Sequence, residues 1–445
     1  MSRYLMVLWS GGGAVPPQLA TAKRLVRRGH DVCVLAPRSL ADVVGASGAR
    51  FEPYRAAPEH DVTRPELDLL RDWEVSGLKA RARMRDNVMF GTAAGIAEDV
   101  LAVVSKGRPD VLLTDYILLG SYLAAEAAGL PVAGLMHTIV ILPRKGVPPF
   151  GTGWKPAANP VAAARHALRR RIAARFFDAR LGDINQLRGR LGLAPLTRTF
   201  ELLARADRLL AMSSPAFDYP GPLPPNTRWV GPVIDPDLPP AGIAQQQGAQ
   251  PFVLVSLSTT VQGQTPLLGR IIGALSDLPV RALVTCGPAV DPGQFRGGPN
   301  VEVMGSKPHH QVLPHTDLVI THGGHGTVTA AMRHGVPVLC LPMGRDQADV
   351  AARAQWRGAG MVGSAHSSPQ RLRKLIGQAL SQETLRDGAR RIAADFAAED
   401  PDAVVVELEK LARRPPAFHS PGTQPSRHSN PLNREAASPV PKPGH

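Results

Sequence analysis

The chain has 445 residues, 44% of them hydrophobic, which is enough apolar material for two domains with large buried cores. No apolar run approaches the ~20 residues that a membrane-spanning helix needs, so we expect no membrane span. The formal net charge is +14, and this basic balance leaves nucleic acid or an anionic membrane surface to be considered as a partner.

The first elements predict a βαβ unit. Residues 4–9 are an apolar run without a basic leader or a cleavage site, which indicates a first strand and not a signal peptide. A triple glycine, Gly11 to Gly13, is followed by an amphipathic helix over 18–28 and a strand over 31–35. Because the G-x-G-x-x-G spacing is absent, the glycines predict no nicotinamide cofactor.

The three cysteines, Cys33, Cys286 and Cys340, lie in or beside apolar runs and far apart in the chain. This pattern indicates buried thiols in a reducing compartment, and it lacks the clustered ligands of a metal site. We therefore expect a soluble, cytoplasmic protein without a bound metal.

Two side chains follow neighbouring strands of the first half. The predicted elements are an irregular region over 45–89, a helix over 92–105, strands over 111–113 and 132–135, and a helix over 120–128. Asp115 lies just beyond the first of these strands and His137 just beyond the second. Ligands collect at the carboxyl ends of parallel strands, so the 10–14 loop, Asp115 and His137 should share one rim. Asp115 could instead be a cap or turn residue, and His137 could simply bond nearby backbone groups.

Arginines concentrate between residues 165 and 190. No nucleic-acid motif and no interleaved aromatic residues accompany them, which favours a solvated basic helix face over a nucleic-acid site. The proline-rich sequence over 220–240 then indicates an interdomain connection.

The second half repeats the alternation of strands and helices. Its predicted elements are strands over 252–256, 281–285 and 301–304, a helix over 267–275, polar loops over 258–260 and 305–310, and a last helix over 401–412. Few apolar residues follow, so the tail over 415–445 is predicted to be disordered.

The most informative stretch is residues 318–360, which predicts a strand, a glycine turn, a helix, a second strand and a polar loop. Glycines let backbone amides approach a ligand closely, and the start of a helix carries partial positive charge. This pattern predicts a site for a phosphorylated compound, with the acceptor-rich Asp346 and Gln347 suited to sugar hydroxyls.

Several motifs occur here in a fixed order. They are His322-Gly323-Gly324-His325-Gly326-Thr327, Gly335-Val336-Pro337, Leu341-Pro342, Asp346-Gln347 and Gly358-Ala359-Gly360, supported by Leu25-Val26-Arg27-Arg28-Gly29-His30-Asp31-Val32 and Trp229-Val230-Gly231-Pro232-Val233. Together they make the chain resemble the family-one nucleotide-sugar glycosyltransferases of the GT-B architecture, in particular the bacterial macrolide and natural-product branch. The resemblance implies an α/β fold with two Rossmann-like domains facing a cleft. Residues 1–214 would bind the acceptor, 215–240 would be the linker, and 241–414 would bind the nucleotide-sugar donor.

The resemblance also implies roles for individual residues. The donor diphosphate would contact His322, Gly323, Gly324, Gly326, Thr327 and Thr259. Asp346 and Gln347 would hold sugar hydroxyls, and Ser306, Lys307 and Pro308 would frame the nucleobase. Many relatives have a tryptophan at the Ser306 position and the plant branch has a ribose-binding glutamate at the Ala330 position, so the base and ribose contacts must differ here.

The family's catalytic histidine is absent from this sequence. Its Gly-His-x-x-Pro turn reads Gly13-Ala14-Val15-Pro16-Pro17, so the acceptor-side loop of Gly13 and Ala14 carries no base. The dyad aspartate is matched by Asp115. Asp115, His137 or His60 could act as the base, the acceptor could be acidic enough to need little help, or the chain could be no catalyst.

The favoured hypothesis is a metal-independent, inverting glycosyltransferase that moves a (deoxy)sugar from a dTDP- or UDP-sugar to a small hydrophobic natural-product aglycone, by O- or C-glycosylation. The nucleotide sugar would be a co-substrate, and no cofactor is expected. The alternatives are a catalytically silent auxiliary or binding protein and a nucleotide-sugar epimerase. A homodimer or an auxiliary partner protein remains open.

Overall fold

The computed structural model describes residues 1–245 and 248–413. The described chain forms two parallel β-sheets with helices on both faces, and the predicted disordered tail lies outside the described residues. Because parallel strands are buried on both faces, they appear in the sequence as nearly continuous apolar runs.

The first sheet has seven strands in the order β3-β2-β1-β4-β5-β6-β7. They are β1 (Arg3–Val7), β2 (Asp31–Ala36), β3 (Arg50–Pro53), β4 (Val111–Asp115), β5 (Val132–Met136), β6 (Arg208–Ala211) and β7 (Thr227–Trp229). Strands β4 and β5 are neighbours, with Asp115 opposite Leu135. The strand order reverses between β1 and β4, which is the point where open α/β sheets bind ligands.

The second sheet has six strands in the order β10-β9-β8-β11-β12-β13. They are β8 (Phe252–Ser256), β9 (Arg281–Thr285), β10 (Val301–Met304), β11 (Leu318–Thr321), β12 (Val338–Cys340) and β13 (Gly360–Val362). The predicted bounds of β8, β9 and β10 are confirmed to the residue.

Helices cover both sheets. They are α1 (Val15–Arg27), α2 (Ala41–Ala46), α3 (Gly77–Arg83), α4 (Ala93–Lys106), α5 (Leu119–Ala128), α6 (Pro160–Asp178), α7 (Leu181–Arg190), α8 (Glu201–Arg205), α9 (Thr265–Ser276), α10 (His309–Val312), α11 (His325–Arg333), α12 (Gln347–Trp356), α13 (Pro369–Ser381), α14 (Glu383–Ala397) and α15 (Ala403–Ala412). A π-helical segment, Met84–Phe90, joins α3 to α4. The region over 45–89, predicted to be irregular, therefore contains the end of α2, strand β3, a short 3-10 helix (Asp72–Glu74), α3 and most of the π-helical segment.

Alternating side chains of β1 show how the first sheet is buried on both faces. Leu5 and Val7 belong to one apolar cluster with α4 and α5, while Tyr4 and Met6 belong to another on the opposite face. The three cysteines are free and buried, as predicted.

The last helix returns to the first domain. Its buried residues Val404, Val405 and Leu408 pack in the same cluster as Tyr4 and Met6. The segment predicted to be the linker also contributes β7 to the edge of the first sheet. The structure thus places α15 and β7 with the first domain, whereas the sequence assigned them to the second domain and to the linker.

One helical stretch in the described part of the chain, Gly77–Lys106, has the length and apolar composition of a membrane span. Half of its most apolar window is buried inside the protein, and Ile96, Ala97 and Val100 of α4 lie in the core of the first domain. A buried core helix passes the same test, so this stretch is weak evidence for a membrane span.

Candidate active site

A deep cleft of 2720 Å3 lies between the two sheets, at the carboxyl ends of strands from both domains. The predicted site residues that line it are Gly13, Ala14, His137, Thr259, His322, Gly324, Gly326, Thr327, Asp346 and Gln347. Asp115, Gly323, Ser306, Lys307 and Pro308 lie outside this lining. The cleft thus brings the two predicted half-sites opposite each other.

Two glycines shape the turn between β11 and α11. Gly323 has a φ of +93°, and a Cβ there would come within 2.9 Å of the Gln347 carbonyl oxygen. A Cβ on Gly324 would come within 2.7 Å of the His322 ring. Gly323 therefore needs glycine, whereas a larger residue at position 324 would displace the His322 ring. The turn presents the first-turn amides of α11, around Gly326 and Thr327, to the cleft, which is the geometry of an anion site.

The two histidines of this turn are electrically neutral at pH 7. Burial lowers the pKa of both His322 and His325 to about 4, against a smaller opposing effect of the Asp346 carboxylate. His322 lines the cleft, so it would meet a diphosphate as a hydrogen-bonding partner and not as a cation. His325 Nε2 lies 3.1 Å from Ser213 Oγ, a contact between the domains that the sequence did not predict.

These histidines should make the protein less stable in acid. From about pH 6.5 down to about pH 4 the unfolded chain binds protons on His322 and His325 that the folded chain does not, so stability falls with falling pH. The expected loss is about 2 kcal/mol per histidine at pH 5. Urea unfolding near pH 7.5 and pH 5 measures it. The His322→Asn/His325→Asn double variant should lose less than the parent, and an equal loss in both would contradict the assignment.

The predicted sugar-binding pair divides into two roles. Asp346, directly before α12, is partly exposed, and its Oδ2 accepts a hydrogen bond from the Thr138 hydroxyl at 2.5 Å. Gln347 is 1% exposed, and its Oε1 accepts bonds from the backbone N–H groups of Met343 and Gly344 at 2.7 and 3.0 Å. Its Nε2 donates to Gln262 Oε1 at 2.8 Å. Gln347 therefore shapes its own loop, and Asp346 is the more accessible ligand.

The predicted nucleobase residues lie at the edge of the cleft. Ser306, Lys307 and Pro308 are exposed and outside its lining, whereas the next residues, His309 and His310, line it. His309 Nε2 lies 3.1 Å from Ser256 Oγ at the end of β8. No sequence signal separated these two histidines from the loop before them.

On the first domain, His137 and Asp115 form a pair. His137 Nδ1 lies 3.1 Å from Asp115 Oδ2, although the approach is not aligned as a hydrogen bond. Burial by itself would lower the pKa of His137, but the adjacent Asp115 carboxylate outweighs it, so the pKa is raised above 6.5. With Nδ1 facing Asp115, Nε2 is the ring nitrogen left to meet a substrate. The pair has the composition of a general-base dyad.

Other residues hold Asp115 in place. The carboxylate is fully buried, and its Oδ2 accepts hydrogen bonds from Trp9 Nε1 at 3.1 Å and Gln18 Nε2 at 2.7 Å. Gln18 Nε2 also donates to the Ala14 carbonyl oxygen at 3.1 Å. The turn that lacks the histidine is thus tied to Asp115 through Gln18, which the sequence did not reveal.

His60 is in a different environment. It stacks on Trp9 with ring centroids 5.1 Å apart, and burial lowers its pKa to about 4. It does not line the large cleft. Of the candidate bases, His137 is therefore the one that combines access to the cleft with a carboxylate partner.

Within the described residues, no group of three His, Cys, Asp or Glu side chains is arranged to hold a metal ion. Metal independence of the reaction stays a prediction.

Known proteins are similar to this chain in sequence and in fold. Residues 271–411 match the family described as erythromycin biosynthesis protein CIII-like, C-terminal domain. The chain is 29% identical over 416 residues to 4'-demethylrebeccamycin synthase of Lentzea aerocolonigenes, covering 92% of this chain and 98% of the relative.

Solved structures agree on the architecture. CalG4, the calicheamicin glycosyltransferase, matches with a TM-score of 0.71 at 22% identity, over 93% of this chain and 99% of that one. Glycosyltransferase VinC, solved in complex with dTDP, matches with a TM-score of 0.64 at 20% identity, over 93% of this chain and 100% of that one.

The two facing sheets give the chain the GT-B architecture of these solved glycosyltransferases. Its second domain matches the erythromycin CIII-like C-terminal domain family, and its relatives include macrolide and natural-product glycosyltransferases. The family resemblance and the fold predicted from the sequence are confirmed.

Proposed function

We propose that the chain transfers a deoxysugar from a dTDP-sugar, or failing that a UDP-sugar, to a small hydrophobic natural-product aglycone, with inversion and without a metal ion. The glycine turn before α11 and the Asp346 loop support the donor half. The dTDP complex of VinC supports the choice of nucleotide.

One observation carries the acceptor half of this proposal: His137, on the cleft wall contributed by the first domain, lies 3.1 Å from the buried Asp115 carboxylate. Asp346 belongs to the donor domain, yet its carboxylate is bonded to Thr138, the residue next to His137. The proposed base and the proposed sugar ligand are therefore neighbours across the cleft.

The reaction follows from this arrangement. His137 Nε2 accepts the proton of the acceptor hydroxyl as its oxygen attacks the anomeric carbon, and Asp115 offsets the charge of the imidazolium that forms. The bond from the anomeric carbon to the diphosphate breaks, and its electron pair goes to the leaving diphosphate. The amides at the start of α11 stabilise that charge.

Turnover experiments test this function. The full chain is incubated with dTDP- and UDP-activated hexoses and deoxysugars and a panel of phenolic and polyketide aglycones. We expect aglycone-dependent release of the nucleoside diphosphate together with a product heavier by one sugar residue, at a rate that EDTA does not change. Absence of both turnover and nucleotide binding would overturn the proposal.

Ala14 is the observation that favours a second candidate, a catalytically silent auxiliary or binding protein. Such a protein would bind dTDP yet release none from any dTDP-sugar. Activity that disappears in the folded Asp115→Asn variant would exclude it. A nucleotide-sugar epimerase, the third candidate, would form its product without any acceptor.

We place the reaction in the cytoplasm, as the three free, buried cysteines suggest. The partners that we propose are the donor and a hydrophobic acceptor. Whether a second copy of the chain or an auxiliary protein joins them is decided by measuring the mass of the active species in solution.

A further inference from the structure

Arg345, to which the sequence assigned no role, lies between the two halves of the cleft. Arg345 directly precedes the predicted sugar ligand Asp346 and lines the cleft. Its Nε and one terminal nitrogen donate to the two oxygens of Asp72 in the first domain, at 2.9 and 3.0 Å. The other terminal nitrogen donates to Thr260 Oγ1 at 3.0 Å. The guanidinium thus joins the domains beside the Thr259–Thr260 loop.

The backbone is strained at both ends of this pair. Arg345 has a φ of +54° and Arg71, the residue before Asp72, has a φ of +40°. These are the two non-glycine residues with positive φ among residues 1–245 and 248–413. Left-handed backbone in ordinary residues is uncommon and persists where the surroundings enforce it, often at ligand clamps and switches.

The predicted diphosphate site is short of positive charge. His322 is neutral at pH 7, and the other predicted ligands are glycines and threonines, so only hydrogen-bond dipoles meet the phosphates. A leaving diphosphate gains negative charge as the sugar departs. A guanidinium can form bidentate hydrogen bonds with phosphate oxygens, as it does with a carboxylate. Arg345 is close enough for its charge to act on His322.

We propose that Arg345 is a diphosphate-binding residue that Asp72 holds until a donor binds. Donor binding replaces one oxyanion by another: the guanidinium leaves the Asp72 carboxylate and bonds the diphosphate, while Thr260 keeps its contact with the arginine. Asp72 is then a competitor for the same cation, and its release frees the segment around Arg71 from its tie to the donor domain. This inference rests on the proposed function, because it requires a nucleoside-diphosphate donor.

Two variants separate the partners of this exchange. Arg345→Gln removes the cation, and Asp72→Asn removes the competing charge at nearly constant shape. Binding of dTDP and of thymidine, which lacks phosphates, is measured by calorimetry on the full chain. Arg296→Gln, at an exposed position outside the cleft lining, is the control for loss of one positive charge.

Arg345→Gln should weaken dTDP binding roughly 10- to 100-fold, the usual range for a charged hydrogen-bonded contact, and leave thymidine binding unchanged. Asp72→Asn should tighten dTDP binding roughly 3- to 10-fold, because the bound state no longer competes with the ion pair. That gain should vanish in the Arg345→Gln/Asp72→Asn double variant. Arg296→Gln should bind dTDP as the parent does.

Either of two results overturns the inference: dTDP affinity unchanged in Arg345→Gln, or dTDP affinity weakened in Asp72→Asn to the same extent as in Arg345→Gln. The second result would make the pair a purely structural link between the domains. If the parent chain binds neither dTDP nor UDP, the proposed function fails first, and this inference fails with it.

Discussion

Replacing His137 by glutamine should lower kcat by roughly 10²- to 10⁴-fold, the range that a positioned general base contributes. Glutamine keeps the approximate size and polarity of the side chain but cannot accept the proton. Since the donor contacts lie in the other domain, the affinity for dTDP should change little. A kcat effect with an unchanged dTDP affinity is the signature of a base, whereas a merely structural role would disturb both.

The pH dependence gives an independent readout. The base must be neutral to work, and Asp115 raises the pKa of His137 above 6.5, so kcat should rise with pH through a midpoint above that value. Asp115→Asn removes the charge that stabilises the imidazolium. The midpoint should then move to lower pH while kcat at the plateau falls, because the neutral amide no longer stabilises the transition state.

The control for His137→Gln is His366→Gln. His366 lies in an exposed turn outside the cleft lining, so this variant should retain parental activity. Phenols of decreasing pKa refine the test, because a more acidic acceptor needs less help from a base. The loss caused by His137→Gln should shrink along that series. A variant that keeps most of its activity with weakly acidic alcohols would show that the proton goes elsewhere.

The sequence predicts the sheets well, for a physical reason. Buried parallel strands are continuous apolar runs, so β8 and β9 could be delimited from their apolar sequence. Strand β10, at the edge of the sheet, is partly exposed and contains Glu302. The placement of Asp115 and His137 on one rim followed from topology, because residues that end adjacent parallel strands must be neighbours. The glycine turn was recognisable because its backbone requires residues without a Cβ.

Contacts between loops could not be predicted in this way. Arg345 and Asp72 are separated by 273 residues, and no periodicity connects a polar loop of one domain to an irregular segment of the other. Gln18 likewise looks like an ordinary residue of an amphipathic helix, and only the fold shows that it reaches Asp115. Ser306–Pro308 are exposed and lie outside the cleft lining, and their role in framing the nucleobase stays a prediction.

Helix α12 explains how the two halves of the site are held together. Charged residues at intervals of four reach from this helix and its flanks into the first domain. Arg345 donates hydrogen bonds to the Asp72 carboxylate, and Asp349 accepts hydrogen bonds from the backbone N–H groups of Gly151 and Gly153. Arg353 donates to the Asp218 carboxylate, and Arg357 donates to the Pro215 carbonyl oxygen. Residues four apart lie on one face of a helix. The helix that begins beside the proposed sugar ligand Asp346 therefore also links the donor domain to the loop around Gly151 in the first domain.

Asp218 is the buried centre of this interface. The side chain is 0% exposed, and it lies between two arginines, Arg353 of the donor domain at 2.5 Å and Arg144 of the acceptor domain at 2.9 Å. Burying charges is unfavourable unless they are paired, so removing one partner leaves the others without compensation.

Asp218→Asn should therefore reduce the free energy of unfolding by about 3–5 kcal/mol, since asparagine fits the space but leaves two buried guanidinium groups without a negative partner. Urea unfolding followed by tryptophan fluorescence measures the loss. Asp277→Asn is the matched control, because Asp277 also pairs with an arginine, Arg373, yet its side chain is 60% exposed. Exposed pairs contribute about 0–1 kcal/mol. Equal losses in the two variants would mean that the buried triad does not hold the domains together, and that the apolar contacts of Phe217 and Ile139 with the second domain carry the interface.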